Sequence, residues 1–89
     1  MVSKPLPRLT GPQLRAARAL LGISAGELAE ETKIGLRTIG RAEKQNGSVG
    51  LTEANERSLI NALQARGVVF LFDDQEGPGV RLRRDARLL

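Results

Sequence analysis

The sequence lacks four of the residue types that carry most enzyme and metal chemistry. Its 89 residues contain no His, Cys, Tyr or Trp. The commonest general base, the strongest nucleophile and the usual ligands of structural zinc are therefore missing. Disulfides are excluded too, which agrees with a reducing cytoplasm. We expect a cytoplasmic protein that is not an enzyme and that needs no metal or cofactor.

Long apolar runs and N-terminal acids are also missing. No stretch approaches the roughly 18 apolar residues of a membrane span, and the opening MVSKPLPRLT has no apolar centre like that of a secretory signal. Residues 1–23 contain four basic residues and no acid, and the formal net charge is +4. The missing apolar runs predict no membrane partner, and the basic balance favours a polyanionic partner. One small domain would also gain stability from dimerisation.

Four helix-start signals are spread over residues 10–67. Thr10 with Gln13 and Ser24 with Glu27 have the spacing of a capping box, in which each side chain bonds a backbone N–H of the other residue. Thr52 can cap a helix that runs to about residue 66. A third helix between them would begin after Gly35. Gly22 and Gly67 would act as C-terminal stops of the first and fourth helices. The predicted core positions are Leu14, Ala17, Leu20, Leu21, Ile39, Ala42, Leu59, Ile60 and Leu63.

The third predicted helix has two chemically different faces. At about 100° per residue, Ile39 and Ala42 fall on one side, and Arg37, Gly40 and Arg41 fall on the other. The inner face is small and apolar, whereas the outer face is cationic. Two arginines opposite a core also occur on solvated helices that bind nothing, so the place of this helix in a larger motif decides its interpretation.

The joint spacing of these residues resembles the phage-repressor (Cro/repressor-like, XRE) family of helix-turn-helix transcriptional regulators. The resemblance covers most of the chain, through the helix over residues 53–66, and it rests on Leu20-Leu21-Gly22, Leu28-Ala29, Ile34, Leu36-Arg37-Thr38-Ile39 and Glu43. It implies a mainly α fold: a four-helix phage-repressor-like helix-turn-helix domain over residues 10–67 with a C-terminal β-hairpin. Two positions depart from the family pattern, since Ala25 stands where Gln is usual and Lys33 where Gly is usual in the turn.

The resemblance implies a repressor-like regulator that binds double-stranded DNA as a homodimer on an inverted repeat, within the nucleoid. The third helix would enter the major groove, and the residues implied as base contacts are Leu36, Arg37, Thr38 and Arg41. Those implied as backbone contacts are Ser24, Lys33, Gly35, Lys44, Gln45, Asn46 and Arg15. The family's internal ion pair, carried over to this chain, is Arg18 with Glu43.

The chain after Gly67 changes to a period of two. Residues 68–84 read as a β-hairpin, with an apolar first strand, an acidic turn and an alternating second strand. Helices can cover only one side of such a hairpin, so we predict a dimer interface made of Val68, Val69, Phe70, Leu71, Phe72, Val80 and Leu82. Asp73, Asp74 and Glu76 lack the spacing of a calcium loop and are interpreted as a solvated turn.

The chain ends and the function leave alternatives open. Residues 1–9 are interpreted as a flexible arm, with a frayed terminus favoured over an arm that follows DNA, and residues 85–89 as a tail in which Leu88-Leu89 either joins the interface or frays. The alternative function is a protein-binding helix-turn-helix module, such as an antiactivator or antitoxin-like protein, with weak or no DNA binding. The missing Gln at Ala25 and the apolar first strand are compatible with that protein partner.

Overall fold

A computed structural model describes residues 8–72 and 75–86 as four helices followed by a two-stranded antiparallel hairpin. The helices are α1 (Gly11–Leu21), α2 (Ala25–Thr32), α3 (Leu36–Lys44) and α4 (Glu53–Ala65), and the strands are β1 (Val68–Leu71) and β2 (Gly79–Leu82). The predicted mainly helical fold with a C-terminal hairpin is confirmed. Asp73, Asp74, Leu88 and Leu89 lie outside the described residues.

Three of the four helices, α1, α2 and α4, begin at a residue whose side chain caps the first turn. Thr10 and Gln13 form the complete capping box, whereas Ser24 contributes only its own half, accepting from the N–H of Glu27 at 3.0 Å. The Thr52 hydroxyl likewise accepts from a backbone N–H in the first turn of α4. These side chains satisfy amides that have no partner within the helix.

The turns that end α1 and α2 use left-handed backbone. Gly22 has φ 68° and Lys33 has φ 61°. Glycine adopts this region freely, but the Cβ of Lys33 makes it unfavourable by roughly 1 kcal/mol. The positive φ that was expected at Lys33, a non-glycine residue in the turn, is confirmed. Gly67, with φ 106°, makes the corresponding turn between α4 and β1.

The core lies where the four helices meet the inner face of the hairpin. Its buried apolar residues are Leu9, Leu14, Ala17, Leu21, Ile23, Leu28, Ile34, Ile39, Ala42, Val49, Leu59, Ile60, Leu63, Val68 and Phe70. Leu20 was predicted to belong to it, and that prediction is wrong: its side chain is 40% exposed. Leu20 lies at the edge of the apolar stripe of α1, and neighbouring elements leave it partly uncovered.

The hairpin register separates an inner from an outer face. Val68 pairs with Leu82 and Phe70 with Val80, and these residues point toward the helices. Val68 and Phe70 are buried within the single chain, so their assignment to a dimer interface is corrected. On the outer face, the side chain of Leu71 is 39% exposed. Phe72, which is half-buried after the end of β1, stacks on Phe70 with ring centroids 6.1 Å apart.

The last two residues of the predicted arm over residues 1–9, Arg8 and Leu9, pack against the domain. Leu9 is fully buried, and its carbonyl accepts from the N–H of Val49. Arg8 forms an ion pair with Glu56 at 2.8 Å. Residues 1–7 of the predicted arm lie outside the described residues. No helix in the described ranges is long and apolar enough to cross a membrane.

Candidate nucleic-acid interface

The helix α3 presents one buried and one exposed face. Ile39 and Ala42 are fully buried against the other helices. Arg37 and Arg41 are exposed on the opposite side, and the side chain of Leu36 at the helix N-terminus is 55% exposed. The structure thus places the predicted base-contacting side chains on the outer surface of α3, except that Thr38 is half-buried.

The two guanidinium groups of this face have no ion-pair partner among the residues that the structure describes. Within residues 8–72 and 75–86, neither Arg37 nor Arg41 has a salt bridge or a side-chain hydrogen bond. The one acid of α3, Glu43, is buried and faces the opposite way. Because no carboxylate of the helix competes for them, both cations remain available to an external anion.

The buried acid of α3 ties the helix to α1. Arg18 donates to Glu43 through two parallel bonds, Nε to Oε2 at 2.6 Å and Nη2 to Oε1 at 2.8 Å. Hydrogen bonding to Glu43 raises the pKa of the Arg18 guanidinium above its ordinary value. Arg18 Nη1 also donates to the carbonyl of Ile23, at 3.0 Å. One side chain therefore fixes α3 relative to α1 and to the turn before α2.

The C-terminal end of α3 sits directly on the start of α1. Gly11 is buried there, and a Cβ at this position would meet the carbonyl oxygens of Gln45 and Ala42. Arg15 donates through Nη1 to the carbonyl of Glu43. The resemblance implied Arg15 as a phosphate contact, but in the structure this side chain also caps the last turn of α3. Both contacts hold the exposed face of α3 in a fixed orientation.

The turn before α3 forms a shallow groove next to its N-terminus. Ile34 is buried beneath the turn, while Lys33 and Gly35 are exposed. The groove has a volume of about 580 Å³ and is lined by Gly26, Ala29, Glu30, Lys33, Ile34, Gly35 and Leu36. Lys33 lies 3.7 Å from Glu30, and both side chains are more than four-fifths exposed. Such a solvated pair contributes little stability and leaves the ammonium available.

The loop after α3 divides the predicted backbone-contacting residues between two sides. Gln45 donates to the carbonyl of Arg41 at 3.3 Å and lines a groove with Thr38 and Arg41. Asn46 instead lines a cavity between the start of α1 and the hairpin. Lys44 is exposed at the last turn of α3. The structure therefore places Lys44 and Gln45, but not Asn46, beside the cationic face.

Two buried polar residues that hold parts of the fold together were not identified as buried from the sequence. Gln13 was recognised only as a cap, yet its Nε2 also donates to the carbonyls of Leu71 and Gly79 at 3.0 and 3.1 Å, joining α1 to the hairpin. Glu56 accepts from the N–H of Leu9 at 2.9 Å. Both residues lie on the apolar side of their helices, and this position is the available sequence signal for burial.

No protein-family model matches the sequence, and no curated protein matches it significantly. Groups of three or more His, Cys, Asp or Glu side chains placed to hold a metal ion are absent from the part of the chain that the structure describes.

Proposed function

We propose that this protein is a sequence-specific DNA-binding transcriptional regulator of the repressor-like type. In this proposal α2 and α3 act as a phage-repressor-like helix-turn-helix, and α3 enters the major groove. The observation that carries it is the outer face of α3, where Arg37 and Arg41 are exposed and unpaired among the described residues while Glu43 is withdrawn into an internal ion pair.

The side chains of this face suit the edges of base pairs. Each guanidinium of Arg37 and Arg41 can donate two parallel hydrogen bonds to O6 and N7 of a guanine. Leu36, with its 55% exposed side chain, can contact a thymine methyl group. Thr38 can bond either a base or a phosphate oxygen. Gly40, with no heavy atom near its missing Cβ position, leaves room for close approach of the helix to DNA.

Phosphate contacts would come from the two ends of the helix pair. Lys33 in the turn and Lys44 in the last turn of α3 supply charge at opposite ends of the face. Backbone N–H groups at the helix starts after Ser24 and Gly35 would add uncharged donors. The remaining candidates for phosphate contact on this side are Gln45 and the part of the Arg15 guanidinium that does not bond the carbonyl of Glu43. Asn46 fits this role less well, because it borders the cavity beside the hairpin.

The proposed functional unit is a homodimer that binds an inverted repeat. Dimers with this docking geometry place two helices in successive major grooves about 34 Å apart. Binding by such a dimer would weaken steeply as salt rises, because each phosphate contact releases condensed counterions.

The test is selection of bound duplexes from a random DNA pool, followed by affinity measurements on the selected sequence. Arg37→Ala and Arg41→Ala should each weaken binding to the selected site by about 1 to 3 kcal/mol and relax its sequence at one position. The matched control is Arg57→Ala, because Arg57 is an exposed arginine on α4. It removes the same charge and should leave specific affinity nearly unchanged.

The alternative is a protein-binding module that uses the same fold. No selected DNA sequence, no salt-sensitive binding to any duplex and equal behaviour of the three Arg variants would contradict DNA recognition. Stable capture of a defined protein partner in that case would favour the alternative. The shallow groove beside Leu36 would then be the first surface to test.

A further inference from the structure

The loop that follows α3 contains the dipeptide Asn46-Gly47, and this pair occurs once in the chain. Both residues are exposed, in a bend outside the helices and strands. Within the described part of the chain, the Asn46 side chain has no hydrogen-bond partner, and neither has the N–H of Gly47. A free side-chain amide therefore stands next to an exposed backbone nitrogen that no hydrogen bond holds.

The fold does not require glycine at position 47. A Cβ added there would meet no heavy atom within 4 Å. Left-handed backbone is not the reason either, since the described glycines with positive φ are Gly22, Gly50, Gly67 and Gly77. Alanine at position 47 would therefore fit the same backbone. What glycine changes here is the access of other atoms to its nitrogen, because no Cβ crowds it.

This pair is arranged for attack of the backbone on the side chain. Once hydroxide removes the proton of the Gly47 N–H, the nitrogen can reach Cγ of Asn46 and close a five-membered ring. The bond between nitrogen and Cγ forms, and the bond from Cγ to Nδ2 breaks. Nδ2 leaves as ammonia after taking a proton from water, which restores the hydroxide. Water then opens the cyclic imide at either carbonyl and gives aspartate or isoaspartate.

We propose that Asn46 is a site of spontaneous deamidation in the folded protein. Asparagine is one of the thermolabile residue types, and the chain contains two others as internal controls, Asn55 and Asn61. Both lie within α4, where backbone nitrogens are engaged in helix hydrogen bonds. The N–H that follows Asn55, for example, donates to the carbonyl of Thr52 at 2.9 Å. Asn61 is exposed as well, so the unbonded nitrogen distinguishes Asn46, not exposure alone.

The two products have different consequences for the packing of α3 on α1. The carbonyl of Gly47 accepts from the N–H of Gly11 at 2.9 Å, and the carbonyl of Gln45 lies against the same glycine. The backbone on both sides of Asn46 is thus held at Gly11. Isoaspartate directs the main chain through the side chain and lengthens it by one carbon, so one of these contacts has to loosen. Aspartate leaves the backbone path unchanged.

Either product also adds a negative charge near the candidate interface, and the formal net charge falls from +4 to +3. Position 46 is two residues from Lys44, so their Cα atoms are no more than about 7 Å apart. This is within the Debye length of about 10 Å at 0.1 M salt. Under the proposed function, on which this consequence alone rests, Asn46→Asp should weaken DNA binding a few-fold, and less so at high salt.

The test is incubation of the purified full chain without DNA at neutral and at mildly alkaline pH, followed by peptide mass spectrometry of the three asparagines. Asn46 should lose its amide about tenfold faster than Asn61 or more, because Asn61 has to wait for local opening of α4. The rate at Asn46 should rise with pH. Gly47→Ala is the matched variant, since it fits the backbone but crowds the nitrogen, and it should slow the loss several-fold.

The two products, separated by chromatography, test the structural consequence. The isoaspartate form should exchange the N–H of Gly11 several-fold faster than the wild type, whereas Asn46→Asp should exchange it at the wild-type rate.

Equal rates of amide loss at Asn46 and Asn61 would overturn the proposal, and so would a folded Gly47→Ala variant that deamidates as fast as the wild type. If Gly47→Ala does not fold, the comparison of Asn46 with Asn61 in the wild type decides. No step of this test involves DNA, so a failure of DNA binding is a separate observation.

Discussion

Arg18 and Glu43 face each other in a bidentate ion pair between α1 and α3, with the Nε to Oε2 distance at 2.6 Å. The side chains are 25% and 10% exposed, so the pair is largely shielded from water. It removes the one acidic group of α3 from the surface and at the same time fixes the helix in place. The stability of the domain and the charge of its candidate interface therefore depend on the same contact.

Glu43→Ala should lower the free energy of unfolding by about 2 kcal/mol, because it leaves a partly buried guanidinium without its partner. The control is Glu30→Ala, which removes the same charge from the exposed pair with Lys33 and should cost no more than about 0.5 kcal/mol. Urea unfolding of the two variants measures the difference. Equal midpoints would show that the Arg18 pair contributes no more than a surface ion pair.

Gly11→Ala and Gly40→Ala should change stability in opposite directions. A Cβ added at Gly11 would collide with the carbonyl oxygen of Gln45 and lie 2.8 Å from that of Ala42, so we expect a loss of about 2 to 3 kcal/mol. Gly40 lies within α3 with open space around it, and alanine there should add up to about 1 kcal/mol. Thermal unfolding of the two variants gives the signs, and a neutral Gly11→Ala would contradict the close seating of α3 on α1.

Gln13→Met should loosen the hairpin from α1. The substitution leaves the carbonyls of Leu71 and Gly79 without the amide donor, at a cost of about 1 to 3 kcal/mol. We expect faster amide hydrogen exchange at Val69 than in the wild type, because this residue pairs within the hairpin. Gln64→Met on the exposed side of α4 is the control and should leave exchange unchanged. Slow exchange in both variants would refute the role of Gln13.

Lys33→Gly should stabilise the domain and weaken DNA binding. Relief of the left-handed backbone is expected to add up to about 1 kcal/mol, even though the weak contact with Glu30 is lost. Lys44→Gly removes the same charge from helical backbone and should instead destabilise by about 1 kcal/mol. If the proposed function holds, both variants lose affinity and show a shallower salt dependence. Unchanged affinity in both would remove these lysines from the interface.

Local chemistry made most of the fold predictable. The caps at Thr10, Ser24 and Thr52 and the stop at Gly22 depend on residues a few positions apart, and the structure has helices between them. The change of period after Gly67 likewise predicted both strands. The faces of α3 followed from helical spacing, since Ile39 and Ala42 are buried as expected.

Contacts between distant parts of the chain were not predictable. Glu56 is buried because Arg8 and the backbone of Leu9, nearly fifty residues earlier, converge on its carboxylate. Gln13 is buried because the hairpin brings two carbonyls to it from the other end of the chain. Helical spacing places these residues near the core but does not identify their partners. Leu20 shows the opposite error. Helical spacing predicted that Leu20 is buried, but no neighbouring element covers it fully.

The first described residues are held against the segment that follows α3. Thr10 bridges to Ser48, and the N–H of Gly11 donates to the carbonyl of Gly47 at 2.9 Å. Arg8 continues this line by donating to the carbonyl of Leu51. A fluorophore attached at position 8 therefore lies beside the segment that follows α3. A label at that position is well placed to report docking of a ligand beside this segment.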